Sequence, residues 1–459
     1  MTRKRHATLA EISRSLADGK VTARGLAEES LARIANPHGE GARAFIHIDP
    51  ARVMHQADEQ DALRRAGRAP SPLAGIPIGI KDLFDVAGEV TTAGSRLLAS
   101  GKPADRDSDA VAAVRQAGMV ILGRTNMTEF AYSGVGINPH YGTPRNRWQR
   151  EDAGGHVPGG SSSGAGVSVA DGMCVAALGT DTGGSVRIPA AFNGLVGFKP
   201  TAFRVPVNGA IPLSFLHDSV GPLANSVDCC ARIDAVLAGE SFNPMPAKPV
   251  EQLRLLCPSG TLWNGLDAEV SAACQRAMQK LRDAGVTIVE ARCDALEDLF
   301  AAGNLPPDKR VMGRLAETFD WHAANIGVDG AGYDPRVWHR IQLGADVTRA
   351  EVSQAIAWLR LWKHRMHEAL SGFDAMITPT VACVPPPIAP LVADDALFFA
   401  RNQLILRNTA WVNMMDGCAL TLPCHAHGAA PVGLQLIGRH AADHQLLATG
   451  RTVEAILRG

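Results

Sequence analysis

Residues 108–122 read SDAVAAVRQAGMVIL, and this short stretch decides the fold class. Val111, Val114 and Ala117 repeat at helical spacing, which puts them on one face. Gly118 suits the left-handed turn that closes a helix. Met119, Val120, Ile121 and Leu122 then form an apolar run of strand length. The same order of helix, glycine and strand recurs at 267–284, Gly285 and 286–289, and again at 352–370, Gly372 and 375–377. Residues 76–80 and 432–437 also read as buried strands. Helices alternating with such strands predict an α/β fold around a mainly parallel sheet covered on both faces.

The 459 residues are 46% hydrophobic and 20% charged, enough to bury a large core. Near the N-terminus Thr22 can cap a helix that carries Ala27, Leu31 and Ile34 on one face, so a helical segment is expected over about 1–65. The Pro-rich stretches 244–249 and 385–387 are the best internal seams, and neither is long enough to separate domains. With 45 basic and 46 acidic residues the net charge is −1, so no overall field favours nucleic acid. The basic start Arg3-Lys4-Arg5 reads as a solvated terminus. No apolar run reaches the ~18 residues of a membrane span, and Glu11, Ser13 and Arg14 interrupt any signal-peptide core. Nine cysteines without a C-x-x-C pair read as reduced, buried thiols of a cytoplasmic protein. His364 with His367, and His425 with His427, lack a third ligand at metal-site spacing; no metal and no cofactor is expected.

Residues 154–189 read GGHVPGGSSSGAGVSVADGMCVAALGTDTGGSVRIP. Two Gly/Ser clusters flank a helix of small residues and a strand expected at 174–178. Glycine at this density costs backbone entropy, and its use is to permit unusual dihedrals or a close approach by a ligand. The run Thr182-Gly183-Gly184-Ser185 after a strand can aim several N–H groups at one point, next to a hydroxyl that could attack a carbonyl. An anion or nucleotide cradle and a plain structural loop are the competing readings. A P-loop would need a Lys after the glycines, and none follows. The only formal G-x-S-x-G match centres on Ser162, inside a Gly/Ser run that meets the pattern by chance. A serine nucleophile needs a base. The best candidate is Lys81, which closes the apolar strand GIPIGIK, where desolvation favours the neutral amine.

PGGSSSGAG and GTDTGGSVRIPAAFNGLVGFKPT closely resemble the signature of the amidase signature family. GIPIGIKDLFD (75–85), GRTNMTEF (123–130), DSVGPLANSV (218–227), DAMITPT (374–380) and PVGLQLIG (431–438) resemble its other blocks, in the right order. The resemblance implies one domain over 1–459 with a three-layer α/β/α architecture and a large mixed, mainly parallel central sheet. It implies a triad: nucleophile Ser185, a relay Ser161 preceded by a cis peptide, and base Lys81. It implies an oxyanion hole from the N–H groups of Thr182, Gly183, Gly184 and Ser185, braced by Gly160, Asp181 and Arg187. Ser163 and Ala165 stand where many members carry glycine and serine.

The implied reaction is hydrolysis of small-molecule amides through an acyl-enzyme, with carbamates and esters in range. The expected partners are substrate and water only, with no nucleic acid or membrane, in a monomer or homodimer. A subunit that feeds ammonia to an amidotransferase complex is the alternative. The pocket is expected from variable segments: 130–136, 213–216, 304–349 within a wider region of about 240–350, and 402–415. Ala131, Tyr132 and Phe215 are the named candidates, with Trp321, Trp338 and Trp411 behind them, so an apolar or aromatic acyl group is expected.

Overall fold

The computed structural model describes residues 7–243, 245–301 and 309–459. Arg3-Lys4-Arg5, Pro244 of the first seam and the start of the 304–349 segment lie outside the described residues. The sheet has eleven strands: β1 (Phe45–His47), β2 (Pro77–Lys81), β3 (Val120–Thr125), β4 (Ala176–Asp181), β5 (Val196–Lys199), β6 (Ser219–Ala224), β7 (Arg254–Ser259), β8 (Thr287–Arg292), β9 (Ala375–Pro379), β10 (Ala419–Pro423) and β11 (Gly433–Ile437). Their spatial order is β1-β3-β2-β4-β6-β5-β10-β11-β9-β7-β8. Parallel pairing is gathered into two blocks, β3-β2-β4 and β9-β7-β8. Antiparallel steps through β6, β5, β10 and β11 join them, so the sheet is mixed as expected.

Side chains alternate between the two faces. Ile121 and Leu178 enter one hydrophobic cluster, while Val120, Leu122 and Ala177 enter another across the sheet. Helices close both faces, which gives the three layers and explains why β2, β3 and β4 are buried along their whole length.

The motif of 108–122 folds as read. Its helix is Asp109–Gln116, Ser108 accepts the Val111 N–H, and β3 follows. Gly118 has φ +76°, and a Cβ there would lie 2.6 Å from both Gln60 Oε1 and Pro70 Cγ, so the turn excludes other residues on two grounds. The other repeats become Ala268–Asp283 with β8, and Arg349–Ala369 with β9. Thr22 caps the helix Ala23–Ile34 by accepting the Gly25 N–H at 3.0 Å. The segment 1–65 is more than helical: β1 inserts there and pairs antiparallel with β3 at the sheet edge.

One strand is displaced from its expected place. The strand read at 174–178 begins at Ala176 and runs on to Asp181, because pairing with β6 continues through Asp181↔Ser219. Thr180 and Asp181 are thereby carried to the end of a strand. β2 lies parallel to β4, so Lys81 ends its strand on the same side of the sheet. Ligands of open α/β sheets gather at such carboxyl ends.

Candidate active site

Lys81 is wholly buried, and its Nζ donates to Ser161 Oγ and Thr180 Oγ1, both at 2.8 Å. Burial disfavours the ammonium and lowers its pKa from 10.5 to about 7, although the nearby Asp218 and Asp181 charges oppose this. A second buried lysine provides the contrast. Lys199 closes β5 in the same way, but its Nζ donates to the carbonyls of Pro200 (2.6 Å) and Gly417 (2.7 Å). Only Lys81 of the two meets a hydroxyl.

Ser161 lies on a loop fixed from several sides. The Gly160–Ser161 peptide is cis. The Gly160 N–H donates to Gly134 O at 2.8 Å, and Ser161 O accepts from the Thr128 N–H at 3.0 Å. A Cβ on Gly160 would stand 2.7 Å from Gly136 N and 2.8 Å from Ser133 O, so backbone approaches where a side chain would be. The helix Ser163–Ala170 follows, with every residue buried.

Ser185 follows β4 through the turn 182–184. The Ser162 N–H donates to Ser185 O at 3.3 Å, which ties the two Gly/Ser loops together. The Ser161 and Ser185 hydroxyls are not hydrogen-bonded to each other; catalytic hydrogen bonds commonly tighten only when substrate is bound. Ser185 sits in the wall of a cavity of about 20 Å3, room for roughly one water. Thr182, Gly183, Ala131 and Tyr132 share that wall. A groove of about 540 Å3 lined by His425, His427 and Glu454 is larger, but it holds none of these residues.

The oxyanion-hole expectation needs one correction. The Gly184 N–H donates to Asp181 Oδ1 at 2.8 Å and so is already used. The N–H groups of Thr182, Gly183 and Ser185 have no acceptor among the described residues. Gly184 has φ +129°, and a Cβ there would lie 2.3 Å from Thr409 Oγ1, so it shapes the turn.

Asp181 and Arg187 form an ion pair, both fully buried. Arg187 Nη2 donates to Asp181 Oδ1 at 2.8 Å and Nε to Oδ2 at 3.0 Å. Burial alone would raise the Asp181 carboxyl, but the Arg187 charge and hydrogen bonds overturn this and hold it well below the usual carboxylate range. Arg187 also reaches Gln435 and Asn413, each at 2.7 Å, and Thr409 O at 3.1 Å. Arg187→Ala should cost about 3–5 kcal/mol, because it strands a buried carboxylate. A denaturant titration would check this, and a loss below about 1 kcal/mol would contradict it.

Sequence reasoning missed several contributors. Thr180 holds the other side of Lys81. Asp218 accepts from Thr182 Oγ1 and from the Leu213 N–H at 2.9 Å; burial, partly offset by these bonds, raises its carboxyl to about 6. Gln435 and Asn413 complete the coordination of Arg187. Gln435 carried a signal, as a polar residue inside the apolar run 432–437.

Ala131 and Tyr132 line the Ser185 cavity, whereas Phe215 is 55% exposed and is not in its wall. Trp321 packs on Phe130, Trp338 on Tyr333, and Trp411 is core. Beside Tyr132 the wall contains two arginines, Arg314 and Arg340. Phe130 and Ala131, the latter in this wall, have φ of +48° and +60°, an unfavourable backbone for non-glycine residues.

All nine cysteines are free, and no group of three or more His, Cys, Asp or Glu among the described residues could hold a metal ion. No helix among the described residues is long and apolar enough to cross a membrane.

Known proteins share both sequence and fold with this chain. The chain is 34% identical to 2-amino-5-chloromuconic acid deaminase of Comamonas testosteroni over 98% of its length and 96% of that protein. It is also 34% identical to one of the subunits of the glutamyl-tRNA(Gln) amidotransferase of Chloroflexus aggregans, over 99% and 97%. A crystal structure of an amidase superposes with a TM-score of 0.85 at 30% identity, covering 98% of this chain and 99% of that one. The Amidase family model matches residues 26–447, and with these relatives it shows that the chain belongs to the amidase family, whose amidase signature its two Gly/Ser clusters carry.

Proposed function

We propose that this protein hydrolyses the carbonyl C–N bond of small-molecule amides through an acyl-enzyme on Ser185. One observation carries the reading: a wholly buried lysine, poised near pH 7, donates to the hydroxyl of Ser161. Neutral Lys81 takes the Ser161 proton as Ser161 takes that of Ser185, and Ser185 Oγ bonds to the substrate carbon. The carbonyl oxygen becomes an oxyanion, met by the free N–H groups of Thr182, Gly183 and Ser185. The tetrahedral intermediate collapses, the C–N bond breaks, and the proton returns through Ser161 to the leaving nitrogen. Water then repeats the sequence against the acyl-enzyme and releases the acid.

The same relay would act on carbamates and esters. A hydrolysis panel of matched amide, carbamate and ester, with the released amine or alcohol identified, tests the bond class. Amide turnover with amine release is expected; turnover of the ester alone would contradict the reading.

A second reading comes from the amidotransferase component found among the relatives, in which this chain would pass ammonia to a partner. Ammonia release by the isolated chain favours the free hydrolase. Release that requires a partner protein favours the amidotransferase role.

A further inference from the structure

Arg314 and Arg340 enter the Ser185 cavity from different helices, Met312–Asn325 and Pro335–Gln342. Neither forms an ion pair with a carboxylate among the described residues. Arg340 donates from Nη1 to the Tyr132 carbonyl, and its guanidinium lies 4.4 Å from the centre of the Tyr132 ring. Arg314 Nε is enclosed and makes no hydrogen bond among the described residues.

Three other enclosed arginines are paired with carboxylates. Arg187 has Asp181, Arg124 has Asp82 and Arg204 has Asp234. The acid on Arg314's own helix that feels its charge is Glu317, which accepts from Ser214 Oγ at 2.7 Å and, through backbone bonds, from Leu216 and Phe215. Glu317 is therefore engaged with the neighbouring loop. Two cations around one small cavity repel each other and lose solvation, a cost that an arriving anion would offset. Guanidinium groups match a carboxylate in geometry as well as charge.

We infer that the substrate is an amide carrying a carboxylate, which Arg314 and Arg340 bind while its carbonyl lies against Ser185. This rests on the reading of Ser185 as the nucleophile. It replaces the apolar acyl group expected from the sequence with an anionic one. Tyr132 would hold Arg340 in place through its carbonyl and ring.

The test compares succinamate, glutaramate and adipamate with succinamide, glutaramide and adipamide. Each pair is matched in size and differs in charge. Calorimetric binding is measured on the full chain bearing Ser185→Ala, so that nothing is consumed. For the best-fitting length, the anion should bind roughly ten- to hundredfold tighter than its neutral partner, the range expected for hydrogen bonds to a charged group. Arg314→Met should collapse that ratio without touching the Tyr132 contact. Arg340→Met should do the same, and Arg340→Lys should restore part of it. Equal binding of anion and neutral amide, or a preference that survives both methionine variants, would overturn the inference. Ammonia release by the unsubstituted chain is read separately. Anion preference with no release from any amide would retire the hydrolytic reading and support the anion site. Release without preference would retire the anion site alone.

Discussion

Ser185→Ala is expected to lower kcat on a turned-over amide by about a millionfold, the scale of loss when a serine nucleophile is removed. Ser185 lies in the cavity wall next to N–H groups that lack acceptors among the described residues. Its hydroxyl makes no hydrogen bond with the described residues, and the residue is 4% exposed, so the variant loses the attacking atom without losing a structural contact. The melting temperature should stay within error of the parent. Near-parental turnover with an unchanged melt would remove Ser185 from the mechanism. Ser162→Ala is the useful control. Ser162 Oγ reaches only towards Thr180 O, at 3.5 Å, and is not in the cavity wall, so most activity should remain.

Lys81→Met should cost about 10²–10⁴-fold in kcat/KM, the contribution of a positioned general base. Methionine fills a similar volume without the charge, which avoids opening a cavity at a wholly buried position. The pH profile separates a base from a packing residue. The amine acts only when neutral, and it is neutral above its pKa of about 7. Parental kcat/KM should therefore fall as pH drops below about 7 and level off above it, and the variant should lose that inflection. Asp218, raised to about 6, is the other group titrating nearby, and its charge stabilises the Lys81 ammonium. Asp218→Asn should then move the inflection to lower pH. A shift to higher pH, or no shift, would assign the inflection to another group.

The helix–glycine–strand repeats were legible because they are local: spacing, a turn glycine and a short apolar run lie within one stretch of chain. The strand order was not. Val196–Lys199 lies beside Ser219–Ala224 on one side and Ala419–Pro423 on the other, and nothing local encodes that distant pairing. The end of β4 was misplaced for the same reason, since pairing with Ser219 extends it to Asp181. At the site, Lys81 and Ser185 stood out by residue chemistry, one ending an apolar strand and the other following a Gly-rich turn. Ser161, 80 residues beyond Lys81, came from family resemblance alone. Thr180, Asp218, Asn413, Arg314 and Arg340 were illegible because each is an ordinary polar residue until the fold brings it beside the catalytic candidates. Gly184 was assigned too much: its N–H serves Asp181, a contact visible only once the turn is folded.

Covalent trapping tests the central claim most directly. The full chain is treated with an activated carbamate or a fluorophosphonate at about pH 8, where Lys81 is largely neutral, then digested and mapped by tandem mass spectrometry. The mechanism proposed here predicts a single adduct on Ser185, formed far more slowly in the Lys81→Met variant. An adduct on Ser161 or Ser162 with Ser185 unmodified, or labelling of Ser185 at the same rate without Lys81, would contradict it.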